Sequence, residues 1–313
     1  MTPIKVPGNK KLLVVCLLPT GSANEKTKGI SHFFEHIFIT KLLHNFTFSK
    51  ISGHTTEDYV MLFCYQITPR KILETLQRMT FEKREVENHK RTLIEEIEME
   101  AFKEEETFFR FVWQETGTGY EKSPLGTIEE VGTVTVDMLG EVREEILKGQ
   151  LFFYSSPFGL DIINRFEDVK VTGINAWWRN KTYQRKGNNR CYEICYFSNR
   201  IEVLYLMVRI LKALNPGKHI QLSEKKRMSA LIVESGVQFP TLRNIGPLRE
   251  KALGELERDL AGIKTNINER ALNELESVYF YGKRWQERIA LLFQTTDRQL
   301  LDMGMVGEKR GKS

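Results

Sequence analysis

The apolar and polar positions of this chain group into short elements divided by turn residues. Residues 11–18 (KLLVVCLL) form an apolar run closed by Pro19 and Gly21, which predicts a buried strand. Gly29 precedes a segment rich in Ile and Phe that reads as a helix over 29–44. Residues 59–67 (YVMLFCYQI) are apolar throughout, as in a strand of a sheet covered on at least one face. A helix-like segment at 70–79 comes next, then a long charged helix over 82–113. Its apolar stripe runs Val86, His89, Leu93, Ile97, at steps of 3, 4 and 4. Residues 116–127 read as a loop, 135–149 as a helix capped by Thr135, and 151–159 as a strand. From 165 to 190 the pattern turns irregular and polar, which places a domain boundary there. The pattern then restarts with a strand at 191–197, a helix at 201–214, a mixed segment at 219–235, and helices at 248–262 and 268–293. The two halves share a strand–helix–strand–helix order, which points to an internal duplication. The expected division is 1–168, 169–303 and a disordered tail over 304–313.

Composition narrows the class. Of the 313 residues, 41% are hydrophobic and 28% charged, as in a soluble globular protein with two cores of ordinary size. The net charge is +5 and the basic residues are scattered, with small clusters such as Lys225-Lys226-Arg227. No basic stripe interleaved with aromatics is evident, which argues against nucleic acid as a partner. The apolar run Leu12–Leu18 is far short of the roughly 20 residues a membrane span needs, and no secretory pattern surrounds it. Cys16, Cys64, Cys191 and Cys195 form no C-x-x-C pair and lie in strand-like segments. They read as buried free thiols of a reducing compartment, hence a cytoplasmic protein.

One apolar segment carries polar groups that its packing does not require. "GISHFFEHIFIT" (29–40) contains His32-x-x-Glu35-His36. On a helix, residues four apart lie on one face, one turn from each other, so two imidazoles can share one tetrahedral ion. Glu35, one residue off the pair, is placed to take a proton from water at that ion. The competing reading is a partly exposed helix with two unrelated histidines. Zinc suits two neutral imidazoles and one carboxylate, with a fourth position left for water. Residues 89–100 (HKRTLIEEIEME) offer Glu95, Glu96, Glu98 and Glu100 as the carboxylate. Glu96 falls one residue before the stripe position Ile97, but periodicity alone does not prefer it to Glu95.

With these segments in order, the chain resembles the insulinase/pitrilysin/mitochondrial processing peptidase family of inverted-motif zinc peptidases, in its small bacterial form. Residues 19–39 look like the family's "G-S-x-x-E … G-x-x-H-x-x-E-H" segment. Residues 52–67 (SGHTTEDYVMLFCYQI) look like its "N-A-x-T" strand, and 119–139 like its "P-x-G-x-x-x-G" loop and helix. Residues 89–97 are similar to the stretch that ends in the third ligand, and this match selects Glu96. The resemblance implies an α+β fold of two related sandwich domains, each a mostly antiparallel sheet with helices packed on it. It implies Zn2+ held by His32, His36 and Glu96, Glu35 as general base, and a peptide substrate added as a strand to a sheet edge, here Thr55–Tyr65.

Three departures from the family pattern bear on function. The spacing from His36 to Glu96 is short. His89 stands where the family has a Glu seven residues before the third ligand, so it, like Thr55, is a candidate for a supporting role beside the metal. In the second half, "LSEKKRMSALIVESG" (222–236) looks like the family's "L-R-E-x-x-G-L-A-Y" segment, whose Arg and Tyr bind substrate and the oxyanion. Ser223 replaces that Arg and Ala230 that Tyr. Arg227 is a candidate substitute for the Arg if the stretch is helical, and no tyrosine lies nearby in the sequence. The expected function is therefore a zinc endopeptidase subunit for short or unfolded peptides, paired with a paralogous subunit, or with a second copy, that supplies the missing pair. The alternative is a non-catalytic peptide-binding or scaffolding subunit with a vestigial metal site.

Overall fold

A computed structural model describes residues 12–47, 49–100, 104–114, 116–156, 159–163, 176–185, 188–197, 202–226, 228–265, 267–281 and 285–301. The chain divides into two compact units, Met1–Glu167 and Asp168–Ser313.

The first unit is built on β1 (Leu13–Leu18), β2 (Ile51–Thr55), β3 (Val60–Tyr65), β4 (Leu151–Ser155) and β5 (Gly159–Ile163). They form one antiparallel sheet in the order β2-β3-β1-β4-β5. Its helices are α1 (Ile30–Asn45), α2 (Pro69–Arg78), α3 (Lys83–Glu100), α4 (Glu104–Trp113), α5 (Ile128–Thr133) and α6 (Val136–Lys148). Thr68, Thr127 and Thr135 cap α2, α5 and α6 through their side-chain oxygens. α1 is apolar around most of its circumference, so it is buried rather than laid on the surface. Phe33, Phe34, Ile37, Phe38 and Leu42 pack with Val14, Cys16 and Leu18 of β1, Val60, Leu62 and Cys64 of β3, and Leu93 of α3.

The start of α1 is fixed from outside the helix. Gly29 precedes it at φ 82° and gives no side-chain cap. The Glu25 carboxylate accepts instead from Gly29 N (2.5 Å) and Ser31 N (3.0 Å), a negative group at the positive end of the helix. Gly29 and Gly126 interlock. A Cβ on Gly29 would sit 2.5 Å from the Leu125 carbonyl, and one on Gly126 2.5 Å from the Lys28 carbonyl. Both glycines have positive φ, so bareness and backbone freedom are needed together. The β2–β3 turn is tied to the loop after α4 by Tyr120, whose hydroxyl donates to Asp58 Oδ1 (3.0 Å) with both residues buried.

The second unit has β6 (Ala176–Arg185), β7 (Asn188–Phe197), β8 (Ile220–Ser223) and β9 (Ser229–Glu234), antiparallel in the order β6-β7-β9-β8. α7 (Glu202–Leu214), α8 (Ile245–Thr265), α9 (Ile267–Tyr281) and α10 (Trp285–Phe293) complete it. Leu204, Met207, Ile210 and Leu211 of α7 meet Cys195, Leu231 and Val233 of the sheet and Ala252 and Leu256 of α8. The chain is thus α+β, with helices packed on antiparallel sheets.

Several elements differ from the expectations above. Residues 51–65 are two strands, turned at Thr56, whose hydroxyl accepts from Asp58 N (3.2 Å) and Tyr59 N (3.1 Å). β2 is therefore the edge and β3 an interior strand, so Thr55–Tyr65 is not one edge strand. The strand expected over 151–159 stops at Ser155, and the chain turns back as β5, which pairs antiparallel with β4. β6 lies in the stretch read as irregular; an edge strand needs few apolar residues, so its sequence lacks the alternation that marks a strand. On either side of residue 227, β8 and β9 pair antiparallel, so the described residues of this stretch are strands and not a helix. Cys191 is exposed, because β9 pairs with β7 only over Tyr192–Phe197 and leaves position 191 beyond the covered part of the sheet. Arg227 and the 304–313 tail lie outside the described residues. Among the described residues, no helix is long and apolar enough to cross a membrane.

Candidate metal centre

α1 sends His32, Glu35 and His36 toward the side where it packs on α3 and β2. His32 Nε2 and His36 Nε2 are 3.1 Å apart. Glu96 of α3 brings Oε1 to 3.8 Å from His32 Nε2 and Oε2 to 3.4 Å from His36 Nε2. Of the other carboxylates considered, Glu95 and Glu98 are exposed and the side chain of Glu100 lies outside the described residues, whereas Glu96 is half-buried. The geometry of the donors fits zinc. Ligand bonds of about 2.0–2.1 Å in a tetrahedron put donor atoms about 3.3 Å from one another. Among the described residues, His32, His36 and Glu96 are the group whose donor atoms converge in this way.

Electrostatics suit the same use. Burial pushes the His32 imidazole down to about 3, with further contributions from His36 and His54. Burial also lowers His36. Both rings are therefore neutral near pH 7 and carry the lone pairs a metal needs. Burial raises Glu35 to about 7; the hydrogen bond from Thr55 pulls the other way, and Glu96 adds to the rise. A carboxyl poised there can both accept and release a proton at neutral pH.

The surrounding side chains fall into two sets. Thr55 Oγ1 donates to Glu35 Oε2, both residues being buried. A Cβ built at Gly53 would clash with Glu35 Oε1, so the carboxylate occupies the room that glycine leaves. The motif reading did not single out Gly53, and a glycine in a strand carries no signal of what fills its side-chain space. His89 lies farther off. Its ring centroid is 6.4 Å from that of His36, and its Nε2 is 3.5 Å from Thr40 Oγ1, one turn beyond His36. Burial lowers its pKa, with His36 contributing. His32 Nδ1 is buried without a hydrogen-bond partner, so that ring is held by packing and by its Nε2 contacts with His36 and Glu96.

In the second unit, Ser223 and Ala230 are register partners across the β8–β9 hairpin, and both are buried. A tyrosine does stand near this hairpin, contributed by α7. The Tyr205 hydroxyl donates to Glu224, and Arg288 approaches the same carboxylate at 3.3 Å. Arg288 is buried, and Glu224 takes both polar groups.

No protein-family model and no curated protein matches the sequence. Solved structures do. An M16-like peptidase from Alicyclobacillus acidocaldarius superposes with a TM-score of 0.64 at 13% identity, covering 93% of this chain and 88% of that one. A protease from Helicobacter pylori gives 0.62 at 12%, covering 95% and 91%. The fold is that of the M16-like peptidases. A peptidase M16 inactive domain from Pseudomonas fluorescens shares it as well, at a TM-score of 0.57 and 10% identity over 93% of this chain and 88% of that one. The neighbours thus include a protein described as a protease and a domain described as inactive, and at these identities only the fold carries over.

Proposed function

We propose that this chain is a zinc-dependent endopeptidase subunit that cleaves short or unfolded peptides beside a paralogous partner, in the cytoplasm. The observation that carries the proposal is the convergence of His32, His36 and Glu96, with a buried Glu35 next to them. Zinc held there supplies a Lewis acid that polarises a peptide carbonyl and makes water more acidic. His32 and His36 contribute neutral nitrogen donors, and Glu96 contributes the charge that offsets the ion. Glu35 takes the proton from the attacking water and returns it to the departing amine. Among the described residues β2 is an edge strand of its sheet, and such an edge offers backbone groups to an extended peptide, a mode that reads main chain more than side chains. Arg227 is a further candidate on the substrate side.

The partner follows from what the second unit lacks. Ser223 and Ala230 supply neither an anchor for the peptide nor a donor for the oxyanion, and loss of one such donor costs about 10²–10³ in rate. A paralogous subunit or a second copy carrying an Arg–Tyr pair would restore both. The likeness to an inactive M16 domain favours a second reading, a peptide-binding scaffold with a vestigial site. Elemental analysis and a cleavage assay separate the two. The peptidase reading expects close to one zinc per chain and cleavage of an unfolded peptide by the mixture of chain and partner, abolished by Glu35→Gln in this chain. Zinc-free protein, or cleavage indifferent to Glu35→Gln, favours the scaffold.

A further inference from the structure

A glutamate side chain has three rotatable bonds, and a general base works only when its oxygen is held within reach of the proton it takes. The hold on Glu35 comes from outside α1. β2 runs in unbroken register against β3, with Gly53 opposite Leu62 and Thr55 opposite Val60, both core residues on the face that α1 covers. Positions 53 and 55 are two apart, so they share that face. Thr55 Oγ1 donates to Glu35 Oε2. At Gly53, a Cβ would clash with Oε1 and lie 2.6 Å from the Glu35 Cδ and 2.8 Å from Ile39 Cδ1. The backbone of Gly53 does not adopt the left-handed conformation that would itself call for glycine, so the reason for a glycine here is space.

We propose that Gly53 and Thr55 are positioning residues for the base. Thr55 occupies one carboxylate oxygen, and the bare backbone at 53 seats the other. The inference rests on Glu35 being the base. It adds that the strand whose free edge would receive a peptide also holds the group that acts on it.

The test uses the full chain labelled with ¹³C at glutamate Cδ and loaded with zinc. The carboxyl resonance missing from Glu35→Gln identifies Glu35. Thr55→Val, nearly isosteric, and Gly53→Ala should each shift that resonance, and Thr55→Ser should return it, with zinc content unchanged in all three. With a fluorogenic unfolded peptide and the partner present, kcat should fall about 10–100-fold in Thr55→Val and Gly53→Ala while KM holds, and Thr55→Ser should recover. An unmoved Glu35 resonance in Thr55→Val overturns the inference, even if Gly53→Ala fails to fold. Wild-type protein without zinc or without Glu35-dependent cleavage overturns the peptidase reading instead, and the resonance still reports whether the hold exists.

Discussion

His32 and His36 are ligand candidates because a helix makes residues four apart neighbours, and that relation is visible in the sequence alone. Glu96 is different. Nothing in the local pattern separates it from Glu95; the packing of α3 on α1 does, leaving Glu95 exposed and aiming Glu96 at both imidazoles. Substitution should expose the division of labour. His36→Ala and Glu96→Gln each remove a donor atom and should lose most of the bound zinc, measured by elemental analysis. Glu35→Gln removes only the proton acceptor and should keep the metal while cleavage drops by about 10²–10⁴. Full zinc in Glu96→Gln would mean that another carboxylate completes the site. Gly53 was not legible as a site residue, because its contribution is the absence of atoms and shows only when the neighbouring side chain is in view.

At the scale of elements, the readable parts were those with strong apolar periodicity. β1, α1 and α6 fall within a residue or two of their expected bounds. The polar edge strand β6, and the polar strand β2 that ends in the turn at Thr56, were not readable. In both places pairing with another strand, not local composition, decides the structure. The turn matters for the site because it ends the strand that holds Glu35. Tyr120 anchors it through Asp58 and packs edge-on against Trp113 at 5.1 Å between centroids. Tyr120→Phe keeps the ring and deletes the donor. It should destabilise the first unit by about 1–2 kcal/mol in chemical denaturation, with zinc stoichiometry intact. An unchanged midpoint would mean that Asp58 is satisfied without Tyr120.

For the molecule as a whole, the candidate donors His32, His36 and Glu96 and the buried Glu35 belong to the first unit, and the second unit shows neither an Arg at 223 nor a Tyr at 230. The chain alone should therefore cleave unfolded peptides slowly or not at all, and a partner with that pair should restore turnover. Robust turnover by the chain alone would place the missing function within it and end the case for a heterodimer. The interlocked Gly29 and Gly126 carry a consequence for folding. They join segments about a hundred residues apart, and closing so long a loop costs entropy that the β2–β3 hairpin and the helices do not face. Local elements should thus assemble first, and the start of α1, with the ring of His32 just inside it, should settle only when the two loops lock. Metal uptake during refolding should then lag the recovery of helical circular dichroism. Simultaneous recovery would mean that the metal helix finds its place without the lock.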